Sequence, residues 1–98
     1  MGLESFRNKA SADLAAGLEN KRTRNLLPTN LHRNAQVKIQ ILRAANSLDD
    51  LVNFPGLKLE RLAGKRRNEF SIRINDQYRI CFQWVDSDAH EVSIEDYH

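Results

Sequence analysis

The chain has 98 residues, 41% of them hydrophobic and 29% charged, with a formal net charge of +2. That suits one soluble globular domain, residues 1–98, with a modest two-layer core. No apolar run is long enough to span a membrane and the N-terminus lacks an apolar signal core, so a cytoplasmic protein with no membrane partner is expected. The single cysteine, Cys81, excludes an internal disulfide and cysteine-based metal spacing, and reads as a small strand residue.

Leu3 to Arg7 reads as a short opening strand. Asn8 or Ser11 is placed to cap a short helix with Leu14, Ala15 and Leu18 on one side, ending between Gly17 and Asn20. Lys21, Arg22 and Arg24 crowd into the next segment with Leu26, Leu27 and Pro28, which reads as a solvated basic loop. Thr29 or Asn30 is the expected cap of the main helix, which runs to about Asn46. Val37, Ile39 and Ile41 alternate as a strand would, whereas Leu31, Ala35, Ile41, Leu42, Ala45 and Leu48 form a helical stripe. Length, caps and Ala44-Ala45 decide for helix. Asp49 and Asp50 would oppose the dipole of its C-terminal end, so the helix finishes before them.

Phe54-Pro55-Gly56 is a turn. Leu57 to Leu62 reads as a strand with Leu57 and Leu59 on one face and Lys58 and Glu60 on the other. Gly64 to Asn68 is a basic loop leading into the strongest pattern of the chain. There Phe70, Ile72 and Ile74 alternate with polar residues, and after a short break Tyr78, Ile80, Phe82 and Trp84 do the same. This is a β-hairpin. An odd loop, Asn75-Asp76-Gln77, is needed to put both apolar sets on one face, which pairs Ile74 with Tyr78, Ile72 with Ile80 and Phe70 with Phe82. Val85 to Ala89 is a polar turn, and His90 to Asp96 a last strand with Val92 opposite Phe82 and Ile94 opposite Ile80. His32 and His90 lack metal-ligand spacing and read as surface residues.

Helices followed by an antiparallel meander make an α+β domain. One sheet face packs on the helices, and the other carries Lys58, Glu60, Arg73, Arg79, Glu95 and, if the strand continues, Tyr97. The hairpin register sets Arg73 directly opposite Arg79. Like charges so placed destabilise a sheet, so the pair calls for a carboxylate or an anionic ligand, and Glu95 falls across from Arg79. Net charge is +3 over residues 1–55, +4 over 56–80 and −5 over 81–98. That segregation suits a polyanion on one surface and a basic partner on another, although an unevenly charged solvated surface explains the charge alone.

Leu62-Ala63-Gly64, the strand FSIRIN from Phe70, the strand YRICFQW from Tyr78 and the closing Glu95-Asp96-Tyr97-His98 carry a resemblance. With Ser5-Phe6-Arg7 at the start, they make the chain similar to the HigB-type ribosome-dependent messenger-RNA interferases. These are toxins of type II toxin–antitoxin modules in the RelE superfamily. The resemblance implies two N-terminal helices packed on a small, twisted, mainly antiparallel sheet. It implies metal-independent cleavage, without a cofactor, of messenger RNA in the decoding site of the 70S ribosome, by attack of a ribose 2′-hydroxyl on the adjacent phosphate. It also implies neutralisation by a helix-turn-helix, HigA-like antitoxin, with operator DNA contacted only through that antitoxin.

Such chemistry needs a base, an acid and cations for the charge developing on phosphorus. By the resemblance, Arg79 is the phosphate-binding strand arginine and Asp96, Tyr97 and His98 are the C-terminal functional residues. Register adds Arg73 as a second phosphate ligand. Well-known HigB members carry a histidine where Glu60 stands and a lysine where Ala63 stands. Glu60 is the candidate base, with His98 the candidate acid, or else Glu60 only pairs with Arg73 or Lys58 across the polar face. Lys58, Lys65, Arg66 and Arg67 are candidate RNA or ribosome contacts that replace the missing lysine. Two other readings compete: a non-catalytic RelE-fold protein that binds antitoxin, ribosome or RNA, and an interaction module whose arginines dock an acidic protein.

Overall fold

The structure, a computed structural model, describes Leu3 and residues 5–97. Among the described residues, four α-helices, α1 (Lys9–Ala15), α2 (Lys21–Leu26), α3 (His32–Ala44) and α4 (Leu48–Val52), precede four strands, β1 (Glu60–Arg61), β2 (Glu69–Arg73), β3 (Tyr78–Val85) and β4 (Asp88–Asp96). The strands lie in sequence order, each antiparallel to the next. This is the expected α+β arrangement, with two more short helices than the sequence pattern announces.

The helix starts are set by side-chain caps. Asn8 accepts from the Ser11 amide at 2.9 Å and opens α1. Asn20 and Thr23 form a reciprocal capping box that opens α2 where a basic loop was expected. The box satisfies amides of the first turn, and the helix turns Lys21, Arg22 and Arg24 outward to solvent, so their crowding costs little. His32 is not a surface residue: it is 6% exposed, and its Nε2 lies 2.8 Å from the Leu27 carbonyl and 3.2 Å from that of Thr23. The ring thereby ties the end of α2 to the start of α3. A 3-10 turn, Thr29–Leu31, replaces a simple N-cap for α3. Ala35, Ile39 and Leu42 are fully buried at helical spacing while Val37 is about half exposed, which settles the strand-like alternation in favour of helix. Asp49 and Asp50 begin the separate helix α4, where Ser47 and Asp50 form a second capping box and the acidic charges favour the dipole.

The expected strand from Leu57 to Leu62 shrinks to Glu60–Arg61. Lys58 has φ of +48°, a left-handed conformation that breaks the alternation, and both flanking leucines, Leu57 and Leu62, turn inward. The hairpin register is as derived: Phe70 pairs with Phe82, Ile72 with Ile80 and Arg73 with Arg79. Asn75 closes its turn by accepting from the amides of Gln77 and Tyr78. Between β3 and β4, Arg79 pairs with Glu95 and Ile80 with Ile94, but a bulge between Cys81 and Gln83 removes the expected Phe82–Val92 pairing. The next turn is also tighter than expected. Asp86 and Ser87, at φ of +52° and +68°, form a two-residue hairpin loop whose twist matches that of the strands. Leu3 and Phe6 bridge in parallel to Ala89 and Val92, so these two residues lie along β4.

Leu14, Ile39, Leu42, Ile72, Ile80, Phe82, Val92 and Ile94 fill the space between helices and sheet, each no more than 3% exposed. At about 1.5–3 kcal/mol for each large side chain, this cluster dominates the stability of the fold. It leaves the opposite sheet face free to hold polar groups.

Candidate functional site

Arg79 anchors the candidate site. It is 8% exposed, although it stands on the polar face of the sheet. Its side chain leans diagonally across β2, where Nε donates to the Ser71 hydroxyl at 2.7 Å. Nη2 donates to the Lys58 carbonyl at 2.6 Å and to the Ser71 carbonyl at 3.3 Å, and Glu60 Oε1 lies 3.8 Å from the same nitrogen. The Tyr97 ring lies over the guanidinium, with Cζ 5.9 Å from the ring centroid. A cation, a carboxylate and an exposed aromatic ring thus converge from β3, β1 and the residue following β4.

Arg73 does not join this group. Although it pairs with Arg79 in the ladder, its guanidinium is bonded to Asp76 in the hairpin turn. Its charge is felt on the helix side by Lys38 of α3, whose ammonium pKa is lowered first by burial and then by Arg73. Each arginine has found its own protein partners, so no single carboxylate among the described residues bridges the two. Glu95 is not that carboxylate either. It lies opposite Arg79 in register, yet Arg66 takes it in a bidentate pair at 2.7 Å on both oxygens.

Arg66 makes a second bidentate pair to Glu69, at 2.8 and 3.2 Å, and Arg7 approaches the same two carboxylates at 3.2 and 3.6 Å. Hydrogen bonds from Arg66 are the first cause that holds both Glu69 and Glu95 below the usual carboxylate range, and the same bonds raise the affinity of Arg66 for its proton. This network explains why Ser71, Cys81 and Ser93 are buried although they face away from the helices. Burial, followed by the Glu95 charge, pushes the Cys81 thiol up to about 12. Of the four expected RNA contacts, Arg66 is therefore committed to carboxylates, whereas Lys58, Lys65 and Arg67 are exposed.

The C-terminal residues are anchored to the hairpin turn. The Tyr97 amide donates to the Gln77 carbonyl at 2.6 Å, and Gln77 Nε2 donates to Asp96 Oδ2 at 3.0 Å. Asp96 and Tyr97 are exposed at the mouth of the site; His98, the candidate acid, lies outside the described residues. Ser71, Gln77, Glu69 and Arg7 all escaped the sequence reading. Ser71 had a signal, because it stands diagonal to Arg79 across the derived register, within reach of an arginine. An open apolar groove of about 480 Å³ between α3 and α4, bordered by Val37, Ile41, Leu51 and Phe54, shares no residue with this site.

Residues 4–98 match the model of a family described as the RelE-like toxin of the type II toxin–antitoxin system HigB. The chain is 39% identical over 71 residues to Toxin HigB-1 of Vibrio cholerae, covering 72% of this chain and 75% of that protein. It is 34% identical over 61 residues to Endoribonuclease HigB of Proteus vulgaris, covering 62% and 65%, and 27% identical over 73 residues to an uncharacterised Haemophilus influenzae protein, covering 74% and 72%. The chain belongs to the RelE-like HigB toxins of type II toxin–antitoxin systems.

Proposed function

We propose that this toxin is a ribosome-dependent endoribonuclease that stops translation by cutting messenger RNA in the 70S decoding site, without a metal or other cofactor. The observation that carries the reading is the convergence of Glu60 and Tyr97 on the sequestered Arg79 guanidinium. Arginine holds phosphate oxygens with planar donors, and a guanidinium in partly water-excluded surroundings acts strongly on charge developing at phosphorus. Glu60, whose side chain is 57% exposed, is open to RNA and accepts the 2′-hydroxyl proton. His98 donates a proton to the departing 5′-oxygen, so that a cyclic phosphate and a 5′-hydroxyl result. Tyr97 stacks on a base or meets the phosphate, and Asp96 orients the end of the chain. Lys58, Lys65 and Arg67 contact RNA or ribosome backbone, and Arg73 supplies long-range positive charge rather than a direct phosphate bond.

The antitoxin partner implied by the family is of the helix-turn-helix, HigA-like kind, it brings the pair to operator DNA, and both act in the cytoplasm. Expression of the toxin alone in bacteria should arrest growth and translation, and co-expression of the partner should restore both. Unimpaired growth at verified soluble expression would favour the non-catalytic alternative, a RelE fold kept for binding antitoxin, ribosome or RNA. For the base, Glu60→Gln and Glu60→His are compared on ribosomes with binding measured separately. Near-normal cleavage by the Gln variant would remove Glu60 from that role, while loss in Gln and recovery in His would assign it the proton.

A further inference from the structure

We propose that Ser71 is the positioning residue of the site: its hydroxyl and carbonyl, with the carbonyl of left-handed Lys58, fix the Arg79 guanidinium in the orientation that receives the phosphate. This rests on the assignment of Arg79 as a phosphate ligand. Ser71 is fully buried on β2, opposite Cys81 and two residues along the ladder from the Arg73–Arg79 pair. A strand arginine pointing straight out would meet Arg73 on one side and Glu95 on the other. Arg79 avoids both and crosses to Ser71, accepted at Nε by the hydroxyl at 2.7 Å and at Nη2 by the Ser71 carbonyl at 3.3 Å.

The third holder is the more unusual. Among the described residues, Lys58 is one of four non-glycine residues with positive φ, and two of the others are the Asp86-Ser87 hairpin loop. Its left-handed conformation, at φ of +48°, follows Gly56 at +85° and turns the chain so that the Lys58 carbonyl meets Nη2 at 2.6 Å. Strain of this kind persists where the surroundings enforce it, and here it delivers an acceptor to a cation. The three oxygens occupy Nε and Nη2, and Nη1 has no hydrogen-bond partner among the described residues. The protein therefore grips one edge of the fork and leaves the other for a phosphate oxygen. Lys58 acts through its main chain at this point, whatever its ammonium group contributes to RNA binding.

The test is a double-mutant cycle on single-turnover messenger-RNA cleavage by the full chain on programmed ribosomes, with ribosome binding measured alongside. The arms are wild type, Ser71→Ala, Ser71→Thr, Arg79→Ala and Ser71→Ala with Arg79→Ala. Because a misplaced group costs up to about a hundredfold in rate, Ser71→Ala should lower cleavage roughly ten- to a hundredfold with binding unchanged. Ser71→Thr, which keeps the hydroxyl, should recover most of the loss. In the Arg79→Ala background Ser71→Ala should have no further effect. A Ser71→Ala variant as active as wild type, or one whose loss persists at full size without Arg79, would overturn the positioning role while leaving Arg79 in place. Full activity of Arg79→Ala would instead overturn the assignment beneath it. Should Ser71→Ala fail to fold, the wild type alone decides by nitrogen-15 NMR. A slowly exchanging Arg79 Nε–H signal is expected, and rapid exchange with water would overturn the proposal.

Discussion

Replacing Arg66 by Met tests whether this arginine serves RNA or the fold. The sequence places it among the RNA contacts, but its side chain forms two bidentate pairs, with Glu69 and Glu95. Relative side-chain exposures are 34% for Arg66, 9% for Glu69 and 26% for Glu95. Removing one partner of a fully buried pair costs about 3–5 kcal/mol. Partial solvent access reduces this, and Arg7 and Ser93 remain as partners, so a loss of about 2–3 kcal/mol is expected for Arg66→Met at neutral pH. For a domain of this size that is a melting temperature lower by roughly 8–15 °C.

The deficit should depend on pH. Both carboxylates titrate below their unfolded values, so the stability that Arg66 confers is complete above the unfolded value near ~4.3 and fades as pH falls through the lower folded values. Urea unfolding of wild type and variant at pH 7 and at steps from 5 downward measures the difference, and the gap should narrow below about pH 4. An unchanged melting temperature together with weakened ribosome binding would refute the structural role and return Arg66 to the RNA surface.

Asn20→Ala removes one half of the capping box of α2 and should destabilise the protein by about 1 kcal/mol without changing cleavage, as read by urea midpoint and activity together. Cys81, buried and with its thiol pushed up to about 12, should resist a thiol reagent at pH 8 in the native protein and react at once in denaturant. Ile80→Ala opens the centre of the core and should cost about 2–5 kcal/mol, read by thermal unfolding; a loss below 1 kcal/mol would contradict the packing described. Arg79→Ala should raise the cleavage barrier by about 2–4 kcal/mol. It should also lower stability, because the Ser71 hydroxyl and the Lys58 carbonyl lose their donors.

The hairpin was legible because side-chain alternation with period two fixes its parity, and parity leaves few choices of loop. Phe70 opposite Phe82 and Arg73 opposite Arg79 follow from that counting alone. Irregular backbone was not legible. The left-handed residues Lys58 and Glu91 carry no mark in their side chains, and they accompany the shortened β1 and the bulge after Cys81. Asn20-x-x-Thr23 is a readable capping box, but the cluster of cations around it outweighed the signal.

At the site, register told which residues share a face but not which partners long side chains choose. Glu95 stands opposite Arg79 and yet bonds Arg66, which arrives from a 3-10 turn (Gly64–Arg66) that alternation does not describe. The same limit hid the sequestration of Arg79. A polar strand face reads as solvated unless other groups fold over it. Here the Lys58 main chain, Glu60 and the Tyr97 ring do so at Arg79, while Arg66 and Arg7 with their carboxylates do so elsewhere on the face.

The most direct test of the central claim is the chemistry of the RNA ends left on active ribosomes. Messenger RNA incubated with programmed ribosomes and wild-type toxin should yield fragments with 2′,3′-cyclic phosphate or 3′-phosphate at one end and 5′-hydroxyl at the other. Arg79→Ala should leave the message largely intact. Fragments ending in 3′-hydroxyl, or equal cleavage by Arg79→Ala, would contradict a 2′-hydroxyl attack assisted by the arginine that Ser71 holds.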